Sequence, residues 1–491
     1  MTHSTPHRTH TTRFWPRLGA LALGLACCAG SALAQRLPPE VAAALARAKV
    51  PPSAVSLLVT KADGAGPPRL NHRANVLVNP ASVMKLVTTY AALDTLGADY
   101  TWKTRFYADG PVRGGVLAGN LYIRGGGDPK LVLERIDPAF QALRALGVHK
   151  VRGDIVLDHG IFEPVERNPA DFDGQALSPY NTAPDGLLVN FKSLIFTFTP
   201  EPDGKTAFIK TEPPIAGVQI DTRVPLSTAS CGDWRSELGA DFADPDRVQF
   251  LGRYPAACGE RSWPVAYVDP ASYARRVLQA MFTNAGGEFS GKVRDGSTPA
   301  DARWLMDAPS LPLGELIADI NKFSNNVMAQ QLFLTLGLQP GRPGNLAASR
   351  AAVATWWPAA IGKDVPAPTL ENGSGLSRDE RTSARALGQL LRRAASHPQG
   401  AVFAQSLSIA GVDGTTQRMR DRGLAPEALG NARLKTGTLR DVASVAGYAT
   451  GRSGQRYVVV GIVNHPLAAA ARPALDALVE WTVKDQAAKP N

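Results

Sequence analysis

The sequence is poor in the residues that announce metal or redox chemistry. It holds 4 cysteines and 8 histidines among 491 residues. No His-Glu-x-x-His occurs, and His72, His149, His159, His397 and His465 show no close pairing. That argues against a zinc centre and against a Ser-His-Asp triad, so no metal or cofactor is expected. A Gly-x-Ser-x-Gly elbow is also missing. Gly125–Gly127 lacks the Lys-Ser/Thr of a phosphate loop and reads as a turn. There is no Lys/Arg block and no basic-aromatic interleaving, which removes nucleic acid from the expected partners. No repeat appears at a solenoid period. What remains is 44% hydrophobic and 20% charged. That is too apolar for disorder, and the length suits two or three globular domains.

The most apolar early stretch, Leu18 to Ala29, follows Arg8, Arg13 and Arg17. It is too short to span a membrane. Ala32-Leu33-Ala34 after it is a small-residue cleavage pattern ending before Gln35. Residues 1–34 therefore read as a secretory signal peptide, cut after Ala34, that delivers the chain to the periplasm. A lipoprotein leader fits poorly, because Cys27 stands directly before the acceptor position. Cleavage would leave Cys231 and Cys258, which an oxidising compartment favours as a disulfide over two free thiols. The net charge of +10 falls with the leader but stays positive. Such a surface suits an anionic wall polymer, though most of this charge is solvated.

The remaining chain changes texture twice. Val41–Lys49 reads as a helix and Ala54–Lys61 as a strand. Pro80 is placed to open a helix running to Leu96, with Gly97 as its stop. From about Asp99, short strand-like runs alternate with Gly/Pro turns: Gly115–Arg124, Val151–Leu157, Phe196–Thr199 and Ala207–Lys210. Helical periodicity returns at Tyr273–Phe282, Leu313–Asn321 and Val327–Leu336. Three strands (Arg433–Thr438, Val442–Thr450, Tyr457–Asn464) and a helix over Leu467–Lys484 close the chain. The expected fold is α/β (α+β), an antiparallel sheet flanked by helices and built from both ends of the chain. The β-rich middle is then a large insertion.

Three motifs carry chemistry. Ser82 and Lys85 lie three residues apart at a helix start, so their side chains share one face. A serine hydroxyl attacks only if a neighbour takes its proton, and a lysine can do so only with a depressed pKa. Alone, this spacing also suits an ordinary helix with a solvated lysine. Ser324 and Asn326 sit between two helices, where capping is the plain reading. Lys435-Thr436-Gly437-Thr438 lies on a strand, where a solvated lysine before a turn would do as well. Together, in the order Ser-x-x-Lys, Ser-x-Asn, Lys-Thr-Gly, they match the set shared by β-lactamases and penicillin-binding proteins.

The chain resembles the class C, low-molecular-mass penicillin-binding proteins, the D-alanyl-D-alanine carboxypeptidase/endopeptidase family. The long gap from Lys85 to Ser324 exceeds what a compact β-lactamase needs. Further segments share the resemblance: Asn120–Ile123 with Gly125–Pro129, Asn321–Asn326, Asn372–Arg378 and Ala410–Thr415. Two positions depart from it, Gln330 in place of Glu and Asn372 in place of Asp.

The resemblance implies a penicillin-binding/β-lactamase-like transpeptidase fold. Residues 35–99 and 302–491 would form the catalytic domain. Residues 100–301 would be the insertion, with an inner domain over about 190–265. It implies that Ser82 is acylated, Lys85 takes its proton and Ser324 relays that proton to the leaving amine. Asn326 would bind the substrate amide and orient Lys85. Lys435, Thr436 and Thr438 would hold the terminal carboxylate. The substrates would be peptidoglycan peptides, and β-lactams would acylate the same serine. Asp173 and Tyr180, in the insertion, are candidates to reach a substrate side chain. Two other readings stay open: a β-lactamase, for which Glu371 is the tempting carboxylate, and a non-catalytic wall-binding protein.

Overall fold

The computed structural model describes residues 36–485. The signal-peptide reading falls on residues 1–34, outside the described part.

The central element is a six-stranded sheet in the order Leu70–His72, Val55–Lys61, Arg456–Asn464, Val442–Thr450, Ala432–Leu439, Ser408–Ile409. All its pairings are antiparallel. The N-terminal strand lies beside the C-terminal one, with Leu58 opposite Val460. Successive side chains point to opposite faces. Leu58, Ala446, Tyr448, Val460 and Ile462 therefore pack with the helices Lys85–Leu96, Leu313–Lys322, Asn326–Leu336 and Ala384–Ser396. Leu57, Val59, Ala443, Val445 and Val459 pack with the helices Pro39–Arg47 and Arg472–Val483 on the other side. Burial on both faces explains why Val442–Thr450 and Arg456–Asn464 read as near-continuous apolar runs.

Between Trp102 and Ser310 the chain builds other sheets. One has the order Val293–Asp295, Ile155–Asp158, Leu121–Arg124, Lys103–Ala108, Arg303–Pro309. Another has the order Tyr254–Pro255, Arg223–Ser227, Thr206–Glu212, Ser193–Pro200, Arg261–Ala266. They share a core of their own, in which Phe196, Phe198, Phe250 and Tyr254 are buried. Cys231 and Cys258 form a disulfide beside it.

Three local expectations need correction. Gly115–Arg124 is two strands, Val116–Leu117 and Leu121–Arg124, and Val151–Leu157 likewise divides into Lys150–Val151 and Ile155–Asp158. The breaks face each other: a Cβ on Gly153 would lie 2.7 Å from the Gly119 carbonyl oxygen. The β-rich stretch also holds the helix Leu133–Ala145, whose Ile136, Phe140 and Leu143 are buried. Pro138 inside it removes a backbone donor and hides the helix from sequence reading. Finally, the turn after Pro80 is a 3₁₀ turn over Ala81–Met84, and the α-helix begins at Lys85. Gly97, at φ 84°, stops that helix as expected.

Candidate active site

The turn that carries Ser82 is clamped on all sides. Asn79 takes the Ala81 N–H on its side-chain oxygen at 2.8 Å and donates to the Ser377 carbonyl at 2.9 Å. Ala81 is fully buried at a φ of 48°, a conformation that alanine adopts only when its surroundings hold it. Two glycines make the close approach possible. A Cβ on Gly375 would lie 2.0 Å from the Ala81 carbonyl oxygen, and one on Gly437 would lie 2.7 Å from the Pro80 oxygen.

Lys85 is fully buried. Its Nζ lies 3.0 Å from Ser82 Oγ, 2.6 Å from Asn326 Oδ1 and 2.5 Å from the Ser374 carbonyl oxygen. The last two atoms can only accept hydrogen bonds. A neutral amine has two N–H donors and one lone pair. If the donors serve Asn326 and Ser374, the lone pair faces the Ser82 hydroxyl. The electrostatics favour this neutral form. Burial holds the Lys85 pKa well below the ordinary lysine value, the Lys435 charge lowers it further, and Glu380 opposes both.

Ser324 and Lys435 form the second pair. Ser324 sits at a φ of 59°, between the helices that end at Lys322 and begin at Asn326. Lys435, fully buried on the sheet, donates to Ser324 Oγ at 2.9 Å and to the Thr436 carbonyl at 2.6 Å. Burial lowers its pKa to about 7. The loop is braced by Lys322, whose Nζ is 2.6 Å from Asp413.

Ser82, Ser324, Thr436 and Thr438 line one cavity of about 200 Å³. Thr436 Oγ1 is 2.7 Å from Thr415 Oγ1. The cavity continues to Arg418, Arg422 and Arg472. Arg422 pairs with the buried Asp476 through two bonds, at 2.7 and 2.8 Å. The charges of Arg422 and Arg418 act on Arg472, whose pKa is lowered first by burial and then by them. This end of the cavity therefore favours an anion. The Tyr180 carbonyl accepts from Asn326 Nδ2 at 3.4 Å, and the Tyr180 hydroxyl donates to Asp173 at 2.8 Å.

All seven residues singled out from the sequence thus fall into this site: Ser82, Lys85, Ser324, Asn326, Lys435, Thr436 and Thr438. Sequence reasoning missed the Ser374 carbonyl, the buried Glu380 and the three arginines. A backbone acceptor has no sequence signature, and Glu380 looks like any loop carboxylate. The two departures are close at hand. Gln330 donates to Ser374 Oγ at 3.4 Å, and Asn372 Oδ1 takes the Ser374 N–H and hydroxyl. Glu371 is exposed and does not line the cavity. Gly125 and Gly126 pack against the backbone of Gly186 and Lys103. His159 lies in an ion cluster with Asp185 and Asp295.

The chain is similar to known proteins over most of its length. Residues 37–485 match the D-Ala-D-Ala carboxypeptidase 3 (S13) family. A D-alanyl-D-alanine carboxypeptidase of Actinomadura sp. is 30% identical over 402 residues, covering 79% of this chain and 73% of that protein. D-alanyl-D-alanine carboxypeptidase DacB of Haemophilus influenzae is 25% identical, with 80% and 82% covered. The crystal structure of penicillin binding protein 4 from Haemophilus influenzae superposes with a TM-score of 0.71 at 23% identity, covering 89% of this chain and 99% of that one. The chain belongs to the D-Ala-D-Ala carboxypeptidase 3 family and is a serine DD-peptidase of the penicillin-binding type.

Proposed function

We propose that the protein acts on peptidoglycan peptides in the periplasm, with Ser82 as nucleophile, Lys85 as base and Ser324 as proton relay. The supporting observation is the set of three Lys85 partners. Two are obligate acceptors, and the third is the hydroxyl to be activated. Neutral Lys85 takes the Ser82 proton as Oγ attacks the carbonyl between the last two D-alanines. General-base help of this kind is worth roughly 10²- to 10⁴-fold.

The backbone N–H groups of Ser82 and Thr438 stabilise the oxyanion. The closeness of the Gly437 strand to the Ser82 nitrogen supports this, and one such donor is worth about 3 kcal/mol. Ser324, held by Lys435, passes the proton to the leaving amine. Asn326 binds the substrate amide, and Thr436 and Thr438 hold the terminal carboxylate with Lys435 behind them. Water, deprotonated by Lys85, then releases the acyl group. A β-lactam carbonyl enters the same sequence and stalls at the acyl stage. In this reading residues 35–99 and 302–491 are the catalytic domain, and 100–301 is an insertion beside it.

The test is release of D-alanine from a pentapeptide by the wild type, Ser82→Ala and Lys85→Met. Activity in the wild type alone is expected. Equal release by Ser82→Ala would refute the mechanism.

A further inference from the structure

Glu380 has no part in the chemistry above, yet it is fully buried next to it. Its Oε1 accepts three backbone N–H bonds, from Glu371 at 3.1 Å, Asn372 at 3.0 Å and Gly373 at 2.9 Å. Among the described residues its Oε2 has no hydrogen-bond partner. A buried carboxylate half-satisfied by neutral donors is costly unless a positive charge faces it. Burial raises its pKa, and the three backbone N–H bonds and, when protonated, Lys85 lower it again.

The turn that Glu380 holds is the one that holds Lys85. Gly373 O accepts from Thr88 Oγ1 at 2.6 Å, on the helix that begins at Lys85. Asn372 Oδ1 fixes the Ser374 N–H at 3.0 Å, and the Ser374 carbonyl receives Lys85 Nζ. Gly375 then passes beneath Ala81 and Ser82. The acid that the family resemblance expects at 372 is Asn here. A carboxylate is nonetheless present at this turn, supplied from position 380.

We propose that Glu380 is a positioning residue for the reaction: its carboxylate clamps the 371–374 turn against Lys85 and places a negative charge opposite the base. The inference rests on Lys85 being that base. Two charged groups act on Lys85: Lys435 from the neighbouring strand and Glu380 from this turn. Ser82, Asn326 and Ser374, which touch it, are neutral. Beside Glu380, the Arg381 guanidinium is engaged by the Arg378 and Glu380 carbonyls. Activity needs neutral Lys85, so it is lost as pH falls through the Lys85 pKa. Removing the Glu380 charge lowers that pKa, and the acid limb moves to lower pH.

The experiment measures kcat/KM against pH for a D-Ala-D-Ala peptide with wild type, Glu380→Gln, Glu380→Ala and Ser82→Ala. Gln retains the acceptor oxygen without the charge. Its acid limb should move down by ~0.5 pH unit or more, with a plateau near that of the wild type. Ala loses the clamp as well, and kcat should fall by roughly tenfold or more at every pH, with KM less affected. A merely structural Glu380 would lower the plateau without moving the limb. A Glu380→Gln profile that superposes on the wild type, with Ser82→Ala inactive, overturns this proposal. An active Ser82→Ala would instead overturn the nucleophile assignment. If Glu380→Ala fails to fold by circular dichroism, the isosteric Gln variant decides alone.

Discussion

Adding one methyl group at Gly437 should separate folding from chemistry. The alanine Cβ would lie 2.3 Å from Ser444 Oγ, 2.7 Å from the Pro80 carbonyl oxygen and 3.0 Å from the Ser82 nitrogen. Ser444 cannot yield freely, because its hydroxyl donates to that same Pro80 oxygen at 2.6 Å. Pro80 cannot yield without carrying the Ser82 turn with it. The strand and the nucleophile must therefore move apart by an appreciable fraction of an ångström. Overpacking of this kind costs roughly 1–3 kcal/mol of stability, which a domain this size can absorb. A misplacement approaching 1 Å at reacting atoms costs on the order of 100-fold in rate.

The assay is the second-order rate of acylation by penicillin, followed by loss of free protein, beside a thermal melt. Gly437→Ala should melt a few degrees lower and acylate about 100-fold more slowly. Gly232→Ala is the control, since a Cβ there meets nothing within 4 Å. An acylation rate at the wild-type level in Gly437→Ala would show that the strand does not fix the nucleophile.

Lys435→Met tests the buried cation. Lys435 has a folded pKa of about 7, down from 10.5. Between those values the unfolded chain holds a proton that the folded chain lacks, so stability rises with pH. Urea melts of the wild type should show that rise from pH 7 to 10, and Lys435→Met should reduce it, leaving the part that buried Lys85 contributes; an unchanged slope counts against burial of the Lys435 charge. Arg472→Ala and Arg418→Ala should lower kcat/KM about tenfold for a substrate that expels D-alanine, but not for one that expels an uncharged amine. Equal losses on both substrates would remove the anion reading of that end of the cavity. Cys231→Ser should cost about 3–4 kcal/mol of stability, from a bridge spanning 27 positions. Penicillin acylation should keep its rate, since the bridge lies in the core formed by residues between Trp102 and Ser310.

The last strands and the helices from Tyr273 to Leu336 were legible because their apolar periods are unbroken, whereas the helices Leu346–Ala360 and Ala384–Ser396 went unread. Val442–Thr450 was read to the residue, and the helix Asn326–Leu336 to within one. The helix Leu133–Ala145 was not legible, because Pro138 interrupts the pattern while tertiary packing of Phe140 and Leu143 preserves the helix. Nor were the breaks at Gly119 and Gly153, which exist because two backbones meet there. The reacting side chains were readable as motifs, whereas their setting was not. Ser374 contributes a main-chain oxygen, and Glu380 acts from a loop whose burial only the fold reveals.

The central claim is that Ser82 is the residue acylated. Incubation of the protein with benzylpenicillin, followed by intact-mass measurement and peptide mapping, tests it directly. A single penicilloyl adduct is expected on the peptide containing Ser82, and none on Ser82→Ala. An adduct on another residue, or one that persists in Ser82→Ala, would contradict it.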